Sequence, residues 1–419
     1  MAVTRTGSKR LLRDLNQSIV LNLLAQYGPL SRSEVARRSG LPPATITRIA
    51  GDFVAGGLVS EEASEEPSGG RRPTLLRINP TAGYVVGVKL REDSMTVALC
   101  DLQCVVAHQC EAPLLPGAAP YQAIEAIADA IRRCIEEAGA RYNDVLGVGI
   151  GLSGLIDSEH GICRYSAILD WRDVEVAAPL EYKLRLPVHV DNDVNTLAVA
   201  ERQFGAGRTA THFLLVTVGR GVGMGVVIGG EIYRGAHGGT GEFGHMTVDT
   251  MPDAPICSCG KRGCLEAAAA DYGIVRAALG IDPGHRVEEA VVGIVERART
   301  GDSAARSILA RAGTALGVAI ANLVNIFDPT LVIVTGEGLR AGKFLLEPLR
   351  AALPSHLFGQ SVADVPLIVQ PTNEVAWARG AASLVLREVF RPPIYETDDP
   401  LIIDDLLARA RRRLRRARA

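Results

Sequence analysis

Residues 241–266 read GEFGHMTVDTMPDAPICSCGKRGCLE, and three thiols, Cys257, Cys259 and Cys264, fall within eight residues of this stretch. Soft thiolates at C-x-C-x4-C spacing wrap a zinc ion, and Gly260 and Gly263 let the backbone turn tightly between them. A tetrahedral shell needs a fourth donor. His245, twelve residues before Cys257, is the nearest preceding histidine, and His237 is its competitor. A closed Cys3His shell leaves no open coordination position, so the metal is expected to be structural and not hydrolytic. Cys100, Cys104, Cys110, Cys134 and Cys163 have no ligand spacing and read as buried or incidental thiols.

The chain around this segment alternates strand-like and helix-like patterns from about Tyr84 onward. Apolar β-type runs at Tyr84–Lys89, Met95–Cys100, Leu146–Leu152, Val188–Val190, Phe213–Val218, Met224–Ile228, Leu331–Thr335 and Leu367–Gln370 are interleaved with helical patterns. The helices are expected at Tyr121–Ala138, Asn195–Phe204, Ser303–Phe327, Leu339–Leu353 and Ala376–Phe390. This is an α/β protein with mixed sheets and two lobes around a cleft. No short-period repeat is visible.

The first sixty residues follow another pattern. Leu11, Leu15, Ile19, Leu23 and Leu24 keep helical spacing until Gly28-Pro29. Ser31 and Glu34 form a capping-box pattern for a second helix that Gly40 stops, and Pro42-Pro43 opens a third with Ile46, Ile49 and Phe53 inward. An acidic patch, Gly69-Gly70-Arg71-Arg72-Pro73 and a strand at Thr74–Ile78 complete a β-hairpin wing. Helix order, wing and charge together point to a winged helix-turn-helix rather than a helical packing domain.

Charge placement supports that reading. The 419 residues are 47% hydrophobic and 22% charged, with a net charge of −2, which describes an ordinary globular protein of two or three domains. Residues 1–60 carry eight Lys/Arg against three Asp/Glu, and residues 401–419 carry seven Arg against two Asp. Two basic ends flank an acidic body, so the near-neutral total hides an electrostatic footprint for nucleic acid. No signal core is present at the N-terminus, and the apolar stretch near Leu316–Phe327 is interrupted by Asn322 and Asn325. A cytoplasmic location and no membrane partner are expected. Leu406, Leu407 and Leu414 among arginines permit an amphipathic helix, but the expected state of this tail is a solvated chain end.

With these residues in view, the chain resembles the ROK family of repressors and sugar kinases. The resemblance rests on Gly241–His245, on the cysteine motif through Glu266, on Asp191-Asn192-Asp193-Val194-Asn195 and on Thr217–Gly223. It implies an actin-like, two-lobed sugar kinase fold over residues 81–395, after a winged helix over 1–80 and before an Arg-rich tail over 396–419. It further implies zinc on His245, Cys257, Cys259 and Cys264. Sugar hydroxyls would be held by Glu242, His245 and Glu266, with Asn192 and Asp193 on the opposite wall and Gly154 at the floor. Carboxylates and amides suit a ring of hydroxyls that both donate and accept.

Kinases of the family carry Asp-x-Gly-Gly-Thr after the first strand, whose amides cradle phosphates. Here Lys89-Leu90-Arg91-Glu92-Asp93 stands in that place. Side chains replace both glycines, so phosphoryl transfer by Asp193, the residue matching the family's base, is not expected. A sugar-responsive transcriptional regulator is the expected function, and an ATP-dependent sugar kinase with an accessory domain is the alternative. Ala44, Thr45, Thr47 and Arg48 on the third helix would meet the major groove, and Arg71 and Arg72 the minor groove. A homodimer or homotetramer would match a near-palindromic operator. In Ile168–Asp173, which is similar to xylose-repressor-type members, Trp171 is expected to stack on a sugar face. The sugar's identity, the operator and the direction of the response are left open.

Overall fold

The computed structural model describes residues 9–63, 73–281, 287–359, 365–391, 403 and 406–411. The chain forms two compact units, Met1–Arg208 with Trp377–Ala419, and Thr209–Ala376.

The first unit begins with helices α1 (Lys9–Tyr27), α2 (Arg32–Ser39) and α3 (Pro43–Ala55) and a small sheet of β1 (Leu30–Ser31), β2 (Val59–Ala63) and β3 (Thr74–Ile78), in the order β1-β3-β2. Gly28 and Gly40 have φ of 80° and 69°, a left-handed geometry that ends a helix at little cost for glycine. Pro43 opens α3 as expected, and Ile46, Ile49 and Phe53 are fully buried. Ser31 caps α2 by accepting from the Glu34 amide at 3.2 Å. Glu34 does not complete the capping box. It pairs instead with Arg37 and Arg38, which hold its carboxyl at about 2, Arg37 the more strongly. Ser31→Ala should therefore lower stability by about 1 kcal/mol in a denaturant titration; an unchanged midpoint would show that this cap contributes nothing.

The buried face of α1 differs from the periodicity reading. Leu15 and Ile19 are only half-buried, whereas Gln17, Ser18, Val20, Leu21 and Leu24 are buried. Ser18 and the half-buried Asn22 on this side of α1 satisfy the end of another helix. Ser18 Oγ donates to the Phe390 carbonyl at 3.3 Å, and Asn22 Nδ2 donates to the same oxygen.

The main sheet of this unit contains β4 (Tyr84–Leu90), β5 (Ser94–Asp101), β6 (Val106–Pro113), β7 (Val145–Leu152) and β11 (Val188–Asn192), in the order β11-β7-β4-β5-β6. Strands β4, β5 and β6 are antiparallel neighbours, while β7 and β11 add in parallel. Helices α4 (Pro120–Glu137), α5 (Ala177–Leu184) and α6 (Asp193–Phe204) belong to this unit, with the side sheet β8 (Leu155–Asp157), β9 (Ile162–Ser166) and β10 (Trp171–Glu175). Trp171 is 2% exposed within the apolar core beside Leu169 and Ile156, so it cannot stack on a ligand, contrary to the sequence expectation.

The second unit repeats the sheet plan. It contains β12 (Phe213–Val218), β13 (Val222–Ile228), β14 (Glu231–Ile232), β15 (Leu331–Thr335) and β16 (Leu367–Val369), in the order β14-β13-β12-β15-β16. Again the first three strands are antiparallel and the last two are parallel additions. Helices α7 (Leu265–Ala269), α8 (Asp271–Leu279), α9 (Val287–Arg299), α10 (Ser303–Phe327) and α11 (Lys343–Ala352) follow or flank these strands. The expected helix Leu339–Leu353 is divided at Gly342 into a 3-10 turn and α11. Helix α10 has 25 residues and could cross a membrane by length and composition. However, 56% of its most apolar window is buried, with Leu309, Leu316 and Ile320 in the unit's core.

Helix α12 (Glu374–Phe390) returns to the first unit. Its backbone lies against β4 and β7 at Gly87 and Gly149, where any Cβ would collide with the carbonyls of Ala378 and Ala381. One apolar core joins Val20, Leu21 and Phe53 of the winged helix to Val385, Leu386, Val389 and Phe390 of α12. Residues 403, 406, 407 and 410 enter the same core, and Arg409 donates to the Val145 carbonyl at 2.9 Å. The described part of the C-terminal tail is thus packed and not solvated. Leu414 and the terminal arginines lie outside the described residues.

Candidate functional site

In the second unit, the 3-10 turn Phe243–His245 and the loop before α7 converge. Single bridges pair Thr247 with Cys264 and Ile256 with Arg262, and the Cys257 amide donates to the Lys261 carbonyl at 2.8 Å. Gly263 is required here, since its φ is 72° and a Cβ would strike the Asp249 carbonyl. These constraints bring ligand atoms of His245, Cys257, Cys259 and Cys264 within 4.8 Å of one another. His237 is exposed and lies outside this cluster.

The spacing fits a metal ion. With Zn–S near 2.3 Å and Zn–N near 2.0 Å, a tetrahedron has S–S edges of about 3.8 Å and S–N edges of about 3.5 Å. The Cys259–Cys264 sulfurs are 3.7 Å apart, and Cys257 Sγ lies 3.5 Å from His245 Nδ1. The other imidazole nitrogen, Nε2, faces Glu242 at 3.7 Å. An outward nitrogen beside a carboxylate is the arrangement that orients a metal-bound histidine.

Glu266, in the first turn of α7, ties this loop to the Gly-rich turn after β12. Its Oε1 accepts from Ser258 Oγ at 3.2 Å, and its Oε2 accepts from the Val222 amide at 3.2 Å. A Cβ on Gly221 would lie 2.9 Å from Glu266 Oε2, and one on Gly219 would lie 2.6 Å from Glu337 Oε2. Carboxylates of the chain itself therefore border both glycines. Nearby Asp271, whose amide donates to Gly219, is paired with Arg340; burial pushes its carboxyl up to about 6 against that pairing.

In the first unit, Gly154, Asn192 and Asp193 come together where β11 runs into α6. Asn192 Oδ1 caps α6 by accepting from the Val194 amide at 2.9 Å, and its Nδ2 donates to the Gly154 carbonyl at 3.0 Å. Gly154 has φ of 130° and packs against the Tyr165 carbonyl, so no side chain fits. Asp193 Oδ1 accepts from the Val194 amide at 2.9 Å. Its Oδ2 is ion-paired with Lys89, and both residues are under 10% exposed. Lys89 stands out in the sequence as a substitution, but its partner is 104 residues away and leaves no local pattern. The one available signal was a cation where an acidic residue stands in the kinases.

The residues expected from the sequence to meet DNA lie, where described, on the N-terminal half of α3. Ala44, Thr47 and Arg48 are exposed and Thr45 half-buried. Thr47 donates to the Pro43 carbonyl, which leaves its lone pairs available, and Arg48 lies 3.5 Å from Asp52 in a solvent-exposed pair that a phosphate or base could displace. Arg71 and Arg72 lie outside the described residues.

Comparison with known proteins identifies the family of the fold. The ROK family profile matches residues 85–388, and a MarR family profile matches residues 13–72. The chain is 28% identical to the xylose repressor of Bacillus subtilis, over 91% of this chain and 97% of that protein. It is 29% identical to the DNA-binding transcriptional dual regulator NagC of Escherichia coli, over 91% and 94%. Among solved structures, a ROK family transcriptional regulator homologous to the E. coli MLC protein matches with a TM-score of 0.78 and 25% identity, covering 95% of this chain and all of that one. A ROK family glucokinase from Streptomyces griseus, in complex with glucose and AMPPNP, matches 72% of this chain and 99% of its own, with a TM-score of 0.61 and 29% identity.

Proposed function

Because this chain belongs to the ROK family, we propose that it is a sugar-responsive, DNA-binding transcriptional regulator, and specifically a repressor of carbohydrate-metabolism genes. One observation carries the reading: the same chain joins a winged helix to a kinase-like fold whose Asp193 is already tied to Lys89. A relative named as a xylose repressor and another named as a DNA-binding transcriptional dual regulator, each aligned along nine-tenths of the chain, support it.

The proposed division is a winged helix over 1–80, a sugar-binding module over 81–395 and a C-terminal segment over 396–419. Gly154, Asn192 and Asp193 of the first unit, and Glu242, His245 and Glu266 of the second, are the proposed sugar contacts. His245, Cys257, Cys259 and Cys264 would hold zinc. When bound, zinc would supply structural rigidity and no open coordination site. The DNA contacts proposed are Ala44, Thr45, Thr47, Arg48, Arg71 and Arg72, presented by a homodimer or homotetramer to operator DNA in the cytoplasm.

Chemistry argues against the kinase alternative at three points. Arg91 and Glu92 occupy the positions where close backbone approach to phosphate needs glycine. The Asp193 oxygens are committed to Lys89 and to the Val194 amide, so accepting a proton would require breaking the ion pair. Glu337 and Glu266 border the Gly-rich turn, where a triphosphate would meet like charge.

A thermal-shift series with D-xylose, D-glucose, N-acetylglucosamine and their phosphates, each with and without ATP, tests this reading. One of these sugars should raise the melting temperature without ATP; at a hundred times its Kd it adds about 2.7 kcal/mol. Asp193→Asn should abolish that shift. Steady ADP production with any of these sugars would overturn the proposal in favour of the kinase.

A further inference from the structure

We infer that Lys89 and Trp377 are positioning residues that link the Asp193 site to the winged helix along α12. The inference rests on the regulator reading above and adds the route by which occupancy at Asp193 is felt at the DNA-binding helices.

The route is continuous within the first unit. Lys89, one oxygen of Asp193 and the ring of Trp377 form one buried group: the Lys89 ammonium pairs with Asp193 Oδ2 and stands 4.7 Å over the Trp377 ring. Trp377 is 7% exposed and lies in the first turns of α12. The start of α6 presses on the same helix. Thr196 Oγ1 donates to the Asp193 carbonyl at 2.7 Å, a Cβ on Gly380 would lie 3.1 Å from Thr196 Oγ1, and Ser383 Oγ donates to the Thr196 carbonyl at 3.4 Å. About 20 Å along the axis from Trp377, the α12 carbonyl of Phe390 accepts from Ser18 and Asn22 of α1. Val389 and Phe390 there share a core with Phe53 of α3.

Close packing makes such a helix a poor absorber of displacement. Its backbone lies against β4 and β7 at Gly87 and Gly149, so movement toward the sheet is closed, and the remaining freedom is a shift along or about its own axis. A sugar hydroxyl donating to Asp193 competes with Lys89 for Oδ2. Where Lys89 yields, the ammonium leaves the Trp377 ring and the restraint on the start of α12 changes. The far end of α12 then alters its hold on α1 and the core beneath α3. The intact Lys89–Asp193 pair thus belongs to the DNA-binding arrangement, and its opening to the released one. Coupling of this kind is reciprocal, so DNA must in turn favour the closed pair.

The test uses the full-length, zinc-loaded protein and a duplex selected from a random pool by the wild type. Lys89→Met should weaken binding to that duplex by about tenfold or more without any sugar. Lys89→Arg should restore wild-type binding, and Lys183→Met, which breaks the exposed Lys183–Glu125 pair in the same unit, should change nothing. Trp171 and Trp377 are the two tryptophans of the chain, so Trp171→Phe leaves Trp377 as sole reporter; its emission should shift on adding the duplex. This readout holds even where Lys89→Met fails to fold. Lys89→Met binding within twofold of wild type, or a Trp377 emission indifferent to the duplex, would overturn the inference and leave the regulator reading standing. A wild-type protein that selects no duplex would overturn both.

Discussion

Serine in place of Cys264 is expected to strip the metal from the loop around residues 245–264, lowering metal affinity by more than about 100-fold, beyond what loss of an outer-shell partner costs. Cys264 is fully buried and its sulfur is 3.7 Å from that of Cys259, so the substitution removes one of the four donors that the cluster brings together. Metal binding and folding of such a loop are one process, since the thiolates can be deprotonated together only around a cation. The consequence should extend beyond the loop. Cys257 contacts His245, Ser258, Glu266 and Tyr272, so release of the metal loosens the proposed sugar contacts His245 and Glu266 and the Val222 end of the Gly-rich turn. Metal analysis should fall from one equivalent to background, and any sugar-induced thermal shift should vanish, while the winged helix in the other unit keeps its far-ultraviolet signature. Full metal content and an intact sugar response in Cys264→Ser would contradict the metal assignment.

The second large effect is expected at the C-terminal segment. Ile403, Leu406, Leu407 and Ala410 are buried, and Leu407 lies so close to α3 that a Cβ on Gly56 would come within 2.6 Å of it. Leu407→Ala should destabilise the first unit by about 2–5 kcal/mol, the range for emptying a buried leucine site. Removal of residues 403–419 should do more, because it uncovers the core shared by α1, α3 and α12. Amide exchange in α3 should accelerate in both variants, and affinity for DNA should fall, with metal content unchanged. The arginines of the segment invite an electrostatic role; the burial of its apolar face argues that its first role is to seat the DNA-binding helices. Unchanged exchange in α3 after the deletion would refute that.

The local features of this protein were readable in its sequence. Helix boundaries near Gly28, Gly40 and Pro43, the inward Ile46, Ile49 and Phe53, and the close approach of Cys257, Cys259 and Cys264 each depend on residues a few positions apart, which short-range patterns report. Non-local pairings were not readable. The common plan of the two sheets arises from strand order, which leaves no periodic trace. The Lys89–Asp193 pair spans 104 residues, and the polar face of α1 makes sense only beside the end of α12. Trp171 misled for a related reason: an aromatic near acidic residues in a short strand looks the same whether it stacks on a sugar or fills a core. The leucines at 406 and 407 likewise disclosed an amphipathic pattern without disclosing what would cover it.

The central claim is that sugar binding changes the affinity of this protein for DNA without phosphoryl transfer. Fluorescence anisotropy of a duplex selected by the wild-type protein, titrated in the presence and absence of the sugar that raises its melting temperature, measures this directly. The sugar alone should change duplex affinity by at least about fivefold, ATP should add nothing, and Glu242→Gln, which alters a proposed sugar contact away from the Lys89–Asp193 pair, should retain duplex binding but lose the response. Duplex affinity indifferent to that sugar, accompanied by ATP-dependent formation of a sugar phosphate, would contradict it.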